Sequence, residues 1–214
     1  MENLDIITGM SMNRWVELGM AISLMGVGYI AGIVKKHIKR TKKSLTVSWN
    51  CHSQIHELLT ELRVKSDCAR AQIVQFHNGE YFMDGISMKK LSLTHESLAK
   101  GVSREAGKMS NVLISLFTPL MEKILKNNST VYKTTDEDNS IFKQIMIANN
   151  TIAFSVLPLR HRTAITGYII LEWCNEYKVK RLNFDEITTT LTESRNLVEI
   201  YLKDIFKEEN TEGL

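Results

Sequence analysis

Proline is nearly absent from this chain, with 2 in 214 residues, and cysteine is sparse, with 3. So little proline excludes polyproline and collagen-like architectures, and 24% charged with 43% hydrophobic residues excludes a disordered composition. Cys51, Cys68 and Cys174 are odd in number, widely spaced and without a C-x-x-C pair. That argues against a disulfide framework and against a zinc ribbon, and free thiols suit a reducing compartment. No phosphate-binding glycine loop, H-E-x-x-H helix or G-x-S-x-G elbow occurs, and there is no internal repeat or low-complexity tract.

Charge of one sign is also scarce outside a single place. Lys35, Lys36, Lys39, Arg40, Lys42 and Lys43 supply six of the 27 basic residues, and the remaining 21 face 24 acidic ones. The net charge of +3 is therefore local, and no nucleic-acid partner is expected. Asn127, Asn128 and Asn149 head N-x-Ser/Thr sequons, which matter only in a secretory lumen.

What is present begins with an apolar stretch, Trp15 to Val34, whose only charge is Glu17. About 20 helical residues span roughly 30 Å, the thickness of a bilayer's hydrocarbon core, so the stretch predicts one N-terminal transmembrane helix. An acidic leader with Glu2 and Asp5 before it, and the basic run after it, set the N-terminus outside and the rest in the cytoplasm. A cleaved signal peptide and a buried core helix are the alternatives. Gly28 and Gly32, echoed by Gly19 and Ser23, have the spacing that lets two helices approach closely, and the basic run can hold anionic lipid headgroups. Membrane lipids and a second copy of the chain are thus the expected partners.

Beyond the basic run, Ser44 to Val64 reads as a linker helix with a seam that includes Leu59 and Leu62. Residues 69–79 (ARAQIVQFHNG) predict a central strand closed by a turn at Asn78-Gly79, and Met88 to Thr94 a second strand. Helical spacing covers Ser110 to Lys126 and Ile141 to Asn149, with a short strand at Val131 to Lys133 between them. Ile152 to Leu159 and Ala164 to Trp173 predict an antiparallel hairpin at the centre of the sheet. Asn183, with Glu186 three residues on, caps a last helix whose seam includes Leu191 and Val198, and the tail after Phe206 reads as frayed. The fold class is α/β (α+β), an antiparallel sheet flanked by helices behind the anchor. Its expected divisions are a leader 1–14, an anchor 15–34, a basic segment and linker helix 35–65, a globular domain 66–207 and a tail 208–214.

The segment 149–173, NNTIAFSVLPLRHRTAITGYIILEW, resembles the closing hairpin of GAF domains through Ser155, Pro158-Leu159 and Gly167. The resemblance covers about residues 44 to 207 and implies a small-ligand-binding or dimerisation module. FHNG at 76–79 is similar to a signature of uncharacterised membrane-anchored phage and bacterial GAF-like proteins. The cysteine and histidine pattern of bilin-binding photoreceptors is missing, as is the NKFDE motif of cyclic-nucleotide binders.

The candidate ligand site is the cluster Phe76, His77, Asn78, Glu80, Tyr81, Phe82 and Asp84, where rings can stack on a planar ligand and His77 and Asn78 can hydrogen-bond it. The plainer reading is a turn in which His77 bonds the backbone. Dimer contacts fall on Gly28, Gly32, Leu59, Leu62, Leu191 and Val198. His52 with His56, or His77 with His95 and Glu96, have metal-compatible spacing, but no four-ligand set emerges, so no metal and no cofactor is expected. His77 or His95 beside Glu80, Glu96 or Asp84 are the only acid–base candidates, and His161-Arg162-Thr163 matches one H-x-T of two-histidine phosphoesterases without the second copy. The expected function is a membrane-anchored, non-catalytic sensor or interaction module with an unknown small ligand or protein partner. A ligand-free scaffold of phage origin and a nucleotide-directed hydrolase using His77 are the alternatives.

Overall fold

The computed structural model describes residues 12–81, 87–126 and 130–211. They belong to two compact units, Met1–Val47 and Ser48–Leu214. Helix α1 (Met12–Lys65) contributes residues to both.

In the first unit the apolar side chains Val16, Met20, Leu24, Val27 and Ile30 of α1 are exposed. The expected anchor is corrected here: among the described residues no helix is long and apolar enough to cross a membrane. Glu17, Ser23 and four glycines, Gly19, Gly26, Gly28 and Gly32, interrupt the apolar residues, and the helix that carries them runs on through the basic residues instead of ending at Val34. The lipid contacts and the outside-to-cytoplasm orientation rested on that anchor and fall with it. The same holds for the resemblance to membrane-anchored proteins. A Cβ at Gly28 or Gly32 would meet nothing within 4 Å.

The second unit is built on six antiparallel strands, β1 (Arg70–Tyr81), β2 (Ser87–Leu98), β3 (Val112–Leu113), β4 (Val131–Lys133), β5 (Ala153–His161) and β6 (Ala164–Trp173), in the order β3-β2-β1-β6-β5-β4. The hairpin β5–β6 is adjacent in sequence, whereas β1 and β6 come from opposite ends of the domain and pair from Arg70↔Glu172 to Gln75↔Gly167. Gly167 is required there, since a Cβ on it would lie 2.2 Å from the Val74 carbonyl oxygen.

Side chains alternate between the two faces of a strand. Val74, Leu91, Leu93, Phe154, Val156, Tyr168 and Ile170 share one face and form the main apolar core with Phe117, with Leu120 and Ile124 of α2 (Thr118–Lys126), and with Phe142 and Met146 of α3 (Ile141–Ala148). The rings of Phe142 and Phe154 meet edge to face at 5.1 Å. Ala71, Ile73, Ser155, Leu157, Leu159, Ile169, Leu171 and Trp173 alternate with these and are buried as well. Their cover comes from the second-unit part of α1 and from α5 (Phe184–Thr211): Thr60 and Arg63 of α1 bond Ser97 of β2, and Glu199 of α5 accepts from the Arg160 backbone amide of β5. Leu59, Leu62, Leu191 and Val198, expected between copies, are buried within this chain.

Three local expectations change. Asn78-Gly79 is not a turn: β1 runs on to Tyr81, and Asn78 pairs with Lys89 of β2. Ser110 to Lys126 is not one helix but β3, a 3-10 turn (Ile114–Phe117) and α2. Pro119 explains the break, because it has no amide hydrogen to give and suits only a helix's first turn. The C-terminal helix extends to Thr211, past the expected fraying point. A short helix α4 (Glu176–Val179), capped by Asn175 Oδ1, links β6 to α5.

Candidate functional site

Of the expected ligand cluster, the described side chains of Phe76 and His77 face opposite sides of the sheet. Phe76 packs on the apolar core, its ring 5.9 Å from that of Tyr168. His77, the next residue in the same strand, turns to the opposite face, where Nε2 lies 2.9 Å from Ser92 Oγ and Nδ1 lies 3.2 Å from the Asn78 carbonyl oxygen. Asn78 is exposed and accepts from Lys89 Nζ at 2.7 Å. Glu80 and Tyr81 belong to β1, and Phe82 and Asp84 lie outside the described residues.

The structure instead concentrates polar groups at the other end of β1. Arg70 Nη1 is 3.1 Å from Glu172 Oε2, with both side chains buried, and it also donates to the Asn149 carbonyl oxygen at 3.2 Å. Thr151 Oγ1 donates to the same Glu172 oxygen at 2.6 Å, and Cys174 Sγ lies 3.4 Å from Arg70 Nη1. Burial pushes the Glu172 carboxyl above its ordinary range, opposed by the Thr151 hydroxyl and by the Arg70 guanidinium. Among the described residues, the buried donors Arg70 Nε and Gln72 Nε2 have no hydrogen-bond partner. Sequence reasoning passed over this cluster. Its signal was a charge set inside an apolar strand run, Glu172 between Leu171 and Trp173.

Between the sheet and its α2–α3 cover, the cavity lined by Gln72, Glu105, Phe117, Phe142, Tyr168 and Glu172 measures about 20 Å³. That is room for a single water. A wider cleft of about 710 Å³ opens near Thr134, Lys143, Thr151 and Cys174, and a polar one of about 320 Å³ near Lys65, Lys178 and Arg181. Cys174 is half-buried and raised by that burial, whereas Cys68 is fully buried and pushed up to about 12.

The histidines pair differently from the sequence expectation. His95 meets His52 of α1, not His77, with Nε2 2.8 Å from His52 Nδ1 and the rings stacked at 5.0 Å. Glu96 faces away and accepts from the Glu105 backbone amide. Among the described residues no group of three His, Cys, Asp or Glu side chains is placed to hold a metal ion. His161, at the end of β5, pairs with Ala164 across the hairpin turn.

No protein-family model matches the sequence, and no curated protein is significantly similar to it. Solved structures do match in shape. The phycoerythrobilin-bound GAF domain of a cyanobacterial phytochrome aligns with a TM-score of 0.53 at 11% identity, over 80% of this chain and 94% of that one. A red/green cyanobacteriochrome in its red-light-absorbing state aligns with a TM-score of 0.51 at 10% identity, over 75% of this chain and 97% of that one. At such identities the likeness establishes the fold alone: an antiparallel sheet flanked by helices, of GAF-like type.

Proposed function

We propose that this chain is a non-catalytic sensing or interaction module of GAF-like fold, in which the helical layer formed by α1 and α5 shifts against the sheet and is read by a protein partner. Both faces of the sheet are buried under helices, and the observation that carries the reading is that the α1 cover adds polar ties to its apolar packing by Ile55, Leu59 and Leu62. The α2–α3 side is filled by interlocked aromatic rings around a cavity of about 20 Å³, too small for a chromophore or nucleotide. The α1 side is tied to β2 by separate polar contacts, from His52, Thr60 and Arg63. Trp49 on α1 and Leu197 and Ile200 on α5 add exposed apolar surface for a partner. The non-catalytic part is supported at the level of the fold, and His77, the hydrolase candidate, bonds a serine hydroxyl and a backbone carbonyl in place of a carboxylate.

A second reading has one observation in its favour. Among the described residues Gln72 Nε2 is a buried donor lacking an acceptor, and it lines the sheet-side cavity, where a water-sized ligand would supply one. The experiment is native mass spectrometry of the purified full chain, followed by a thermal-shift screen against nucleotides and metabolites. No copurifying molecule and no shift supports the interaction module. A shift that disappears in Gln72→Leu supports the second reading, and turnover of any compound overturns both.

A further inference from the structure

The contact between α1 and β2 contains a three-step hydrogen-bond chain whose proton positions are determined by its far end. Thr94 Oγ1 lies 3.4 Å from the Ile73 carbonyl oxygen, which can only accept, so the Thr94 hydroxyl donates its proton there. The Thr94 oxygen is then an acceptor for His95 Nδ1, 3.0 Å away, and Nδ1 carries the hydrogen. A neutral His95 therefore has a bare Nε2, and His52 Nδ1, 2.8 Å from it, must be the donor. The chain runs His52 to His95 to Thr94 to Ile73, from helix α1 into the middle of the sheet.

We propose that this chain is a proton-operated latch: it holds α1 on β2 while one hydrogen bridges the His52–His95 gap, and it opens when both rings are charged. With one added proton the pair keeps its hydrogen bond, because the ring without a hydrogen at the gap accepts; with both rings charged an N–H stands on each side of the 2.8 Å gap and the bond is replaced by two opposed donors. In that state two cations also face each other at stacking distance. Among the described residues no carboxylate acts on His95 to compensate. The titratable groups acting on His95 are His52 and His56, both on α1 and both disfavouring its charge, after the larger effect of burial; together these hold it down to about 4. On its own strand Glu96 points to the other face, and across the ladder His95 is opposed by Ile73. Another contact from α1 to β2 is Arg63 on Ser97, whose hydroxyl oxygen accepts. The latch thus separates two states of α1 that differ in the protons held by the His52–His95 pair.

The test is amide hydrogen exchange of the full chain at pH 7 and at pH 4.5, corrected for the intrinsic pH dependence of exchange. Acidification should raise opening of the peptide covering residues 52–63 at least tenfold while peptides of β5 and β6 change less than threefold. In His95→Gln, whose amide oxygen accepts from His52 at every pH, the response should vanish. An equal response in His95→Gln, no response in the native chain, or a rise in all peptides alike overturns the latch. Should His95→Gln fail to fold, nitrogen NMR of the native chain at pH 7 decides: a hydrogen on Nδ1 and a bare Nε2 of His95 support it, and the opposite tautomer overturns it. The latch belongs to the same helical layer as the proposed signalling motion. Because the experiment reads only the hydrogen bond, the latch can fail while the interaction reading stands, and the reverse.

Discussion

Arg70 and Glu172 are directly opposed across the β1–β6 ladder, and their side chains form an ion pair of 3.1 Å with no more than 3% of either exposed. A pair this buried adds little net stability by existing, because both groups leave water to form it. Breaking it is another matter, since the partner left behind is a desolvated charge or an unsatisfied polar group in the centre of the sheet.

Arg70→Met and Glu172→Gln should therefore each lower stability by about 3–5 kcal/mol in urea denaturation, while an apolar pair at both positions should lose far less than the two single changes combined. Strict additivity in that cycle would mean that the two side chains do not act as a pair.

Stability should change with pH in two opposite ways. His95 has a folded-state pKa near 4 against 6.5 unfolded, so the unfolded chain binds the proton more readily, and stability is lost as pH falls from 6.5 through 4, by up to about 3 kcal/mol. Glu172 is raised in the folded state, so the native chain takes that proton first, and falling pH relieves a cost that is present above its folded pKa. Denaturation curves at pH 7, 5.5 and 4.5 on His95→Gln and Glu172→Gln separate the two. The histidine variant should lose less stability in acid than the native chain, and the glutamine at 172 should make the acid loss steeper.

Gly167→Ala should cost at least about 1–3 kcal/mol, because the new methyl would overlap the Val74 carbonyl. Gly107→Ala, where a Cβ meets nothing within 4 Å, should stay within about 0.5 kcal/mol. A pair of thermal melts is enough to compare them.

Thiol labelling of the folded chain at pH 8 should modify Cys174 first. Cys51 and Cys68 are buried, and Cys68 is also held protonated far above that pH. Labelling of all three at one rate would indicate a far looser core.

These sites were unequally visible in the amino-acid sequence. The hairpin β5–β6 was readable because both its faces are buried, which leaves two continuous apolar runs around a polar break. The start of α5 was readable from a local cap, Asn183 Oδ1 at 3.5 Å from the Glu186 amide. Asn78-Gly79 misled because its turn preference is local, whereas pairing of Asn78 with Lys89 and of Tyr81 with Ser87 carries the strand onward. Once that strand continues, alternation alone sends Phe76 and His77 to opposite faces. The two polar pairs were unreadable for a different reason. Arg70 and Glu172 are 102 residues apart and His52 and His95 are 43 apart, and no periodicity within a short window encodes such a meeting. The transmembrane expectation followed from a window of apolar residues read apart from the helix that contains it, which runs on through the basic residues to Lys65.

The strand order has a consequence for how the molecule comes into being. β1 waits between β2 and an empty place that only β6 can fill, and β6 ends at Trp173, near the end of the chain. During synthesis, β1 and β2 emerge early and leave the apolar run of Ile73 and Val74 as an open edge for the time needed to make the roughly 75 residues from Leu98 to Trp173, several seconds or more at cellular elongation rates. A ribosome stalled anywhere before β6 would hold a half-sheet that is sticky along one side. Nascent chains of this protein should accordingly be frequent clients of holding chaperones, and that dependence should end abruptly once residues 164–173 clear the exit tunnel.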